Sequence, residues 1–249
     1  MYQQERLDAI MRLLEKNNYV TVEFLVNEIK YSPASVRRDL TLLEKQGLVK
    51  RSYGGVTLRD ANYSPFRFRQ HSMKIAKKAM AKKAAELVKD GDVVIIDGST
   101  TAQYIGHFLI DKKDITVITC NIFLAEFLSE NGVTVYSPGG RIVEAPCVLG
   151  GELMLKGLSN FSADIAFFAS TALGDDGKIL TPNEREIKEF QLYRERAKRL
   201  AYICGSDKFD CKAPFVALTL DDVDYFISDK PLPEELKARY SGTSFICAE

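Results

Sequence analysis

The residues best suited to bind an anion follow a short apolar run in the middle of the chain. Val93–Ile96 has the pattern of a buried strand, and the segment after it is Asp97-Gly98-Ser99-Thr100-Thr101. Gly98 allows the backbone to turn and to approach a ligand closely. The hydroxyl residues offer side chains and N–H groups at the start of a predicted helix, where the dipole favours a phosphate. The alternative is that Ser99 or Thr100 only caps that helix, which is common for these residue types.

A second group of residues is suited to nucleic acid. Ser32 and Pro33 are typical of a helix start, and the predicted helix runs to about Gln46. At about 100° per residue, its apolar side consists of Val36, Leu40 and Leu43. Its opposite side carries Ala34, Arg37, Arg38, Thr41 and Lys45. Because arginine binds both guanine edges and phosphates, this face is predicted to enter the major groove of DNA, whereas the flanking Asp39 is expected to be a structural partner.

The neighbouring segments complete the pattern of a winged helix-turn-helix. The apolar positions of a first helix, broken at Lys16-Asn17-Asn18, are Leu7, Ile10, Met11 and Leu14. Thr21 caps a second predicted helix, Val22–Ile29, whose buried candidates are Phe24, Leu25 and Ile29. Gly47 is expected to end the third helix. Residues 48–58 form a predicted hairpin around Tyr53-Gly54-Gly55, which is expected to lay Lys50 and Arg51 along the phosphate backbone. The alternative interpretation of these residues is a small helical bundle with a charged surface. It would account for the three helices but not for the predicted hairpin.

The distribution of charge indicates a polyanionic partner for the first part of the chain. The 34 basic and 34 acidic residues cancel overall. Residues 1–89 contain 18 basic and 9 acidic residues, whereas residues 90–249 contain 16 and 25. A helical spacing relates Lys74, Lys77, Lys78, Lys82 and Lys83. For these five lysines, a solvated helix surface is as good an interpretation as direct DNA contact.

Composition excludes several other classes of protein. Hydrophobic residues make up 46% of the chain and charged residues 27%, close to the average of globular proteins. No apolar run approaches the roughly 18 residues of a membrane helix, and the polar start lacks the core of a signal peptide, so we expect a cytoplasmic protein. The five cysteines form no C-x-x-C pair and the two histidines are far apart, so we expect no metal site and no cofactor.

The first sixty residues resemble the DNA-binding signature of the DeoR-type bacterial transcriptional regulators. The matching residues are Ser35-Val36-Arg37-Arg38-Asp39-Leu40, Leu43-Glu44, Gly47 and Arg51-x-Tyr-Gly-Gly-Val56. The family's usual His before the Gly-Gly pair is Tyr53 here. The resemblance implies binding to double-stranded operator DNA. The residues that it implies for this contact are Ser32, Ala34, Ser35, Arg37, Arg38, Thr41, Lys45, Lys50, Arg51 and Tyr53.

The remainder of the chain has the pattern of an α/β domain. A helix is predicted over 74–89, with the apolar positions Ile75, Ala79, Ala84, Leu87 and Val88. After Val93–Ile96 and a helix through about Leu109, the predicted strands and helices are Ile115–Thr119, Ile122–Leu128, Val133–Tyr136, Ala163–Ala169, Glu184–Arg199, Leu200–Cys204 and Val223–Ser228. This alternation predicts a largely parallel sheet covered by helices, with ligands at the carboxyl ends of its strands. We therefore predict a winged helix-turn-helix domain (1–58), a linker without clear periodicity (59–73) and an α/β effector-binding domain (74–249).

The resemblance to the DeoR-type family extends over this second part. The family's C-terminal sensor is similar in fold to ribose-phosphate isomerases and binds phosphorylated sugars or related metabolites. The matching landmarks are Ile75-Ala76, residues 97–101, Thr119-x-Asn121, Gly139-Gly140, Gly150, Asp164-x-Ala166-Phe167, Gly177, Glu186 and Lys208-Phe209. The effector site that the resemblance implies is lined by Asp97, Gly98, Ser99, Thr100, Thr101 and Lys208, by Gly139 and Gly140 near the sugar, and by Asn121 and Glu186 near its hydroxyl groups. Gly205 and Phe190-Gln191 depart from the family's usual Asp and basic residues, and these departures bear on which effector fits.

These patterns support two hypotheses of different classes. The first is a DNA-binding regulator, a repressor of a sugar or carbohydrate operon, which forms a homodimer or homotetramer and responds to a phosphorylated metabolite. The second is a sugar-phosphate isomerase in which Asp97, Glu186 and Lys208 supply the acid–base groups. The acidic D-G-A-D-E-like stretch typical of ribose-phosphate isomerases is missing, and a DNA-binding domain has no use in such an enzyme, so the regulator is favoured.

Overall fold

Two compact units make up the chain. The computed structural model describes residues 3–17, 19–46, 48–52, 54–58, 66–71, 73–144 and 147–248. The N-terminal unit comprises Met1–Lys74, and the C-terminal unit comprises Ile75–Glu249. In the described ranges, no helix combines the length and the apolar character needed to cross a bilayer.

The N-terminal unit has the helices and the hairpin of a winged helix-turn-helix. Its elements are α1 Gln3–Asn17, β1 Tyr19–Thr21, α2 Val22–Ile29, α3 Pro33–Lys45, β2 Val49–Ser52, β3 Gly55–Leu58 and α4 Phe66–His71. The three strands pair antiparallel in the order β1-β3-β2. The predicted apolar faces of α1 and α3 are buried in one core, which includes Leu14, Leu40 and Leu43.

Local capping explains where α2 and α3 begin. The Phe24 N–H donates to the Thr21 hydroxyl at 3.1 Å, and the Ser35 N–H donates to the Ser32 hydroxyl at 3.2 Å. Pro33 occupies the first turn of α3, where its missing N–H has no intrahelical acceptor. These predicted starts are confirmed, whereas the end of α3 predicted at Gly47 lies outside the described residues.

Two features of this unit differ from the prediction. Phe24 was predicted to be buried but is 36% exposed. The buried stripe of α2 is formed by Leu25 and Ile29, and Phe24 projects about 100° away from Leu25. Strand β1 was not predicted, because three residues are too few to show an alternating pattern. Its register with β3 depends on pairing with residues far along the chain.

Helix α4 lies within the segment predicted as a linker without periodicity. Phe66, its first residue, is fully buried. Six residues contain too few turns for a helical pattern to be recognised in the sequence. The remaining positions of that segment, apart from Met73, lie outside the described residues.

The C-terminal unit is built around a seven-stranded sheet in which every neighbouring pair is parallel. Its helices are α5 Lys74–Ala85, α6 Ile122–Glu130, α7 Glu152–Leu158, α8 Glu184–Arg196 and α9 Glu234–Arg239. Its strands are β4 Val93–Ile96, β5 Thr116–Thr119, β6 Thr134–Tyr136, β7 Arg141–Glu144, β8 Val148–Gly150, β9 Ala163–Phe168, β10 Ala172–Leu173, β11 Lys178–Thr181, β12 Ala197–Ile203, β13 Phe215–Thr219, β14 Tyr225–Ser228 and β15 Ser244–Cys247. The order in the large sheet is β15-β14-β12-β9-β4-β5-β6, which confirms the prediction of a largely parallel sheet. A hairpin of β7 and β8 and an antiparallel sheet of β10, β11 and β13 were not predicted.

Two predicted helices of this unit have different forms. The helix after the Asp97–Thr101 segment is a 3-10 helix, Ala102–Phe108. The helix predicted over Glu184–Arg199 ends at Arg196, because β12 begins at once and Arg199 pairs with Ile165 in the sheet. The Arg199 guanidinium also donates to the Leu87 carbonyl at 3.1 Å, so non-local contacts determine this boundary.

Helix α5 is shorter than predicted, and one of its apolar positions faces solvent. It ends at Ala85, and it buries Met80, Ala81 and Ala84 against the sheet. Ile75 is 86% exposed because it lies outside this small-residue stripe.

Candidate DNA-reading surface and anion site

Helix α3 presents an exposed basic face. The side chains of Arg37, Arg38 and Lys45 are exposed, as are Ser32 and Ala34, and Ser35 and Thr41 are half-buried. The Thr41 hydroxyl donates to the backbone carbonyl of Arg37 at 2.9 Å, but among the described residues of the N-terminal unit no hydrogen bond or ion pair involves the guanidinium group of Arg37 or Arg38. Their guanidinium groups are therefore available to base edges and phosphates.

A buried ion pair holds α3 against α1. The Arg6 guanidinium donates to both carboxylate oxygens of Asp39, from Nε at 2.5 Å and from Nη2 at 3.0 Å. The side chain of Asp39 is 1% exposed and that of Arg6 is 13% exposed. Arg6 also stacks on Tyr31, with Cζ 4.8 Å from the ring centroid. The hydrogen bond to Asp39 raises the pKa of Arg6, and Asp39 is confirmed as a structural partner rather than part of the exposed face.

Strands β2 and β3 form the wing, and Arg51, a wing residue predicted to contact DNA, connects it to α3. The Arg51 guanidinium donates to the Thr41 hydroxyl at 3.1 Å, and the Arg51 N–H donates to the Glu44 carboxylate at 3.2 Å. Lys50, the neighbouring basic residue on β2, is exposed. Tyr53, the remaining predicted contact, lies outside the described residues.

In the C-terminal unit, Asp97 joins two strands at the carboxyl edge of the sheet. Its two oxygens accept hydrogen bonds from the Ser99 N–H at 3.0 Å and from the Ala169 N–H, just after β9, at 2.9 Å. Burial raises the pKa of Asp97 to about 6, and the hydrogen bonds from Ser99 and Ala169 limit the rise. The carboxylate therefore stabilises the turn through hydrogen bonds to two backbone N–H groups.

The rest of the predicted anion segment lies in a closely packed turn. A Cβ added to Gly98 would lie 2.5 Å from Val148 Cγ1, so the absence of a side chain lets β8 pass over the turn. The Ser99 hydroxyl accepts a hydrogen bond from the Ala102 N–H at 3.0 Å, as the capping alternative expects. Thr100 and Thr101 are buried, and the Thr100 hydroxyl accepts a hydrogen bond from Lys77 at 3.1 Å.

The two predicted glycines after β6 lie beside the β7–β8 hairpin. Both have a positive φ, 81° for Gly139 and 112° for Gly140. A Cβ on Gly140 would lie 2.7 Å from the Gly150 carbonyl oxygen, whereas one on Gly139 meets nothing within 4 Å. Close packing against β8 therefore explains why Gly140 has no side chain. The space around the Cα atom of Gly139, in contrast, is open.

The remaining predicted effector residues have structural partners. Asn121, fully buried after β5, accepts a hydrogen bond from the Leu124 N–H at 3.1 Å and so caps α6. Glu186 on α8 accepts hydrogen bonds from the Thr181 hydroxyl and, at 2.9 Å, from the Asn183 amide. Lys208 donates to the Ser170 carbonyl at 2.7 Å, next to the Ala169 N–H that binds Asp97.

Sequence reasoning missed Glu189, which lies near these residues. Burial, followed by the negative charges of Glu186 and Asp97, raises the pKa of Glu189 to about 7. Its Oε1 atom lies 3.4 Å from a Cβ placed on Gly150 in β8. The spacing of three between Glu186 and Glu189 on one helix was the available signal. Carboxylates grouped in this way can accept hydrogen bonds from the hydroxyl groups of a polyol.

Comparisons with known proteins connect both units to one family. Residues 73–230 match the profile described as the DeoR C-terminal sensor domain, and residues 6–62 match the DeoR-like helix-turn-helix domain. The chain is 30% identical over 238 residues to the HTH-type transcriptional repressor GlcR of Bacillus subtilis (strain 168), covering 94% of this chain and 91% of that protein. It is 26% identical over 235 residues to the glycerol-3-phosphate regulon repressor of Escherichia coli (strain K12), covering 94% and 93%.

A solved structure with a similar fold is ribose 5-phosphate isomerase A from Methanocaldococcus jannaschii, with a TM-score of 0.41 and 16% identity over 55% of each chain. The two relatives above, which align over nearly their whole length, are named as repressors and not as enzymes. They support the regulator hypothesis over the isomerase hypothesis. The chain belongs to the DeoR family of helix-turn-helix transcriptional regulators.

Proposed function

We propose that this regulator is a repressor of a sugar or carbohydrate operon, acting in the cytoplasm, whose affinity for its operator is set by a phosphorylated metabolite. The observation that carries the DNA-binding part is the exposed face of α3, where Arg37 and Arg38 project while the Arg6–Asp39 ion pair holds the flank of the helix against α1. A rigid helix with exposed guanidinium groups suits recognition of base edges. Repression is supported by the names of the two relatives.

The proposed DNA contact consists of α3 and the wing. Its residues are Ser32, Ala34, Ser35, Arg37, Arg38, Thr41, Lys45, Lys50, Arg51 and Tyr53. Arg51, held by Thr41, is suited to contact the phosphate backbone and to fix the orientation of α3 relative to it. One recognition helix offers a limited contact, so we propose that a homodimer or homotetramer binds paired half-sites.

The proposed effector site lies at the carboxyl edge of the parallel sheet, where α/β folds bind ligands. Its residues are Asp97, Gly98, Ser99, Thr100, Thr101, Asn121, Gly139, Gly140, Glu186 and Lys208. The partners of Asp97, Asn121 and Glu186 suggest that these three side chains shape the site more than they contact the ligand. A phosphorylated effector agrees with the hydroxyl-rich turn, and one relative is named for a glycerol-3-phosphate regulon.

The test of DNA binding uses an operator selected from a random DNA library with the full chain. Arg37→Ala and Arg38→Ala are each expected to weaken specific binding by about 1–3 kcal/mol where the side chain reads a base. Arg239→Ala removes an exposed arginine in the C-terminal unit and is the matched control. Affinities are measured by fluorescence anisotropy at one fixed salt concentration. A variant lacking both α3 arginines that binds as tightly as the unaltered protein would refute this orientation of α3.

A further inference from the structure

The carboxylate of Glu189, on α8, accepts no hydrogen bond and forms no ion pair within the ranges that the structure describes. Glu189 is half-buried, so water solvates this carboxylate only in part. Its neighbours at the carboxyl edge of the sheet differ, because Asp97, Asn121 and Glu186 all accept hydrogen bonds from the chain itself. The oxygens of Glu189 are therefore open to hydrogen bonds from a ligand.

The position of Glu189 places these open acceptors in the proposed effector site. Its Oε1 atom lies 3.4 Å from a Cβ placed on Gly150 in β8, and a Cβ on Gly140 would lie 2.7 Å from the Gly150 carbonyl oxygen. The negative charge of Asp97 also acts on Glu189, because it adds to the rise in the pKa of Glu189 that burial and the charge of Glu186 produce. Glu189 thus lies between the β7–β8 hairpin and the turn that begins at Asp97.

Arg185 lies one helical turn before Glu189 and brings hydrogen-bond donors to the same side of α8. Its Nη2 atom lies 3.9 Å from Glu186 Oε1, which is too long for a hydrogen bond, and its Nε atom is buried with no partner in the described part of the chain. The side chain of Arg185 is 35% exposed. Its charge lowers the pKa of Glu189, yet the two side chains form no ion pair with each other in the described ranges.

A ligand group that uses both side chains must accept a hydrogen bond from Arg185 and donate one to Glu189. A hydroxyl group does both, whereas an ammonium group only donates and a doubly ionised phosphate only accepts. The negative charges of Asp97 and Glu186 also repel a phosphate from this position. The two side chains are therefore suited to a hydroxyl group.

We propose that Glu189, together with Arg185, binds a hydroxyl group of the effector and so selects a polyhydroxy ligand. The inference rests on the proposed function, because it assigns two residues to the proposed effector site. The Arg185 guanidinium donates to the hydroxyl oxygen, and the Glu189 carboxylate accepts the hydrogen bond of the O–H group. Because the carboxylate of Glu189 has no partner in the described chain, an apolar replacement is expected to leave the stability of the unliganded protein unchanged or to raise it.

The experiment compares ligands that carry the same phosphate group and differ in their hydroxyl groups. The full chain is titrated by calorimetry with glycerol 3-phosphate, ribose 5-phosphate and fructose 6-phosphate, and with propyl phosphate, which has no alcohol hydroxyl group. Glycerol, ribose and fructose are the probes without phosphate. The unaltered protein is expected to bind at least one of the three polyol phosphates about tenfold or more tightly than propyl phosphate.

The readout is the ratio of these two affinities, because a change in the charge of the protein affects both ligands alike. Glu189→Leu and Arg185→Met are each expected to lower the ratio about tenfold. Glu195→Leu and Lys188→Met alter exposed residues of the same helix and are expected to keep it. A urea titration verifies that Glu189→Leu is at least as stable as the unaltered protein.

The outcomes distinguish this inference from the proposed function. An unchanged ratio in Glu189→Leu or in Arg185→Met overturns the inference and leaves a phosphorylated effector in place. A polyol phosphate that the unaltered protein binds no more tightly than propyl phosphate does the same if it holds for all three. If only the probes without phosphate bind, and Glu189→Leu weakens them while Glu195→Leu does not, the inference stands and the proposed effector class falls.

If none of the probes binds the unaltered protein, both the inference and the proposed effector class fall. If Glu189→Leu does not fold, Glu189→Gln takes its place. Glutamine keeps one acceptor oxygen and loses the charge, so it is expected to lower the same ratio, and an unchanged ratio in this variant overturns the inference.

Discussion

Replacing Arg6 by Met is expected to destabilise the N-terminal unit severely, because it leaves the Asp39 carboxylate buried without its positively charged partner and with only the long hydrogen bond from Gln3, at 3.5 Å, among the described residues. The two hydrogen bonds from Arg6, at 2.5 and 3.0 Å, satisfy both oxygens of a side chain that is 1% exposed. Breaking one side of a buried ion pair typically costs about 3–5 kcal/mol. The whole free energy of unfolding of a small domain is about 5–15 kcal/mol, so this one change removes a large part of it.

Hydrogen exchange of the full chain, read by mass spectrometry, measures this loss in each unit separately. Amides of α3 are expected to lose about 3–5 kcal/mol of protection in Arg6→Met, while those of β4 and β9 remain unchanged. Arg12→Met, which alters an exposed arginine of the same helix, is the matched control. The double variant Arg6→Met with Asp39→Leu is expected to recover most of the loss, because no buried charge remains. Protection of α3 within about 1 kcal/mol of the original in Arg6→Met would refute this reasoning.

Two further predictions concern the C-terminal unit. Gly98→Ala is expected to lower the free energy of unfolding by about 1–3 kcal/mol, because the added Cβ would lie 2.5 Å from Val148 Cγ1. Gly242→Ala, where an added Cβ meets nothing within 4 Å, is the control in the same urea titration, and equal stability of the two variants would contradict the packing argument. Burial raises the pKa of Asp97 to about 6, so the folded state holds this proton more tightly than the unfolded chain. Ionising Asp97 is therefore expected to lower stability as the pH rises from about 4 to 6, by up to about 3 kcal/mol. Asp97→Asn removes the ionisable group and is expected to remove this pH dependence. If the stability of the variant and of the unaltered protein changed in parallel between about pH 4 and 6, Asp97 would not be its source.

Features that depend on neighbouring residues were predictable from the sequence. The starts of α2 and α3 follow from Thr21 and from Ser32-Pro33, because a cap is a contact over three residues. The parallel sheet was predicted because its strands are short apolar runs separated by helical segments. Their carboxyl ends lie at one edge, which brings Asp97 and Asn121 to the same side.

Features that depend on distant residues were not predictable. Asp39 was recognised as a structural residue, but its partner Arg6 is 33 positions away. Lys77 appeared as one of five equivalent lysines, and only the packing of α5 brings it to Thr100, 23 positions further on. Packing against the β7–β8 hairpin explains why positions 98 and 140 are glycines. The strands of this hairpin are too short to show a sequence pattern, so its position over the Asp97–Thr101 turn could not be predicted.

The most direct test of the central claim measures operator affinity with and without phosphorylated metabolites. We compare the unaltered protein with a Ser99→Ala, Thr101→Ala double variant, and with Ser241→Ala as an exposed control. The unaltered protein is expected to change its operator affinity by about 5–150-fold with at least one phosphorylated metabolite. The double variant is expected to bind the operator normally and to lose this response. A metabolite response that persists unchanged in the double variant would contradict the account. So would an operator affinity of the unaltered protein that no phosphorylated metabolite changes.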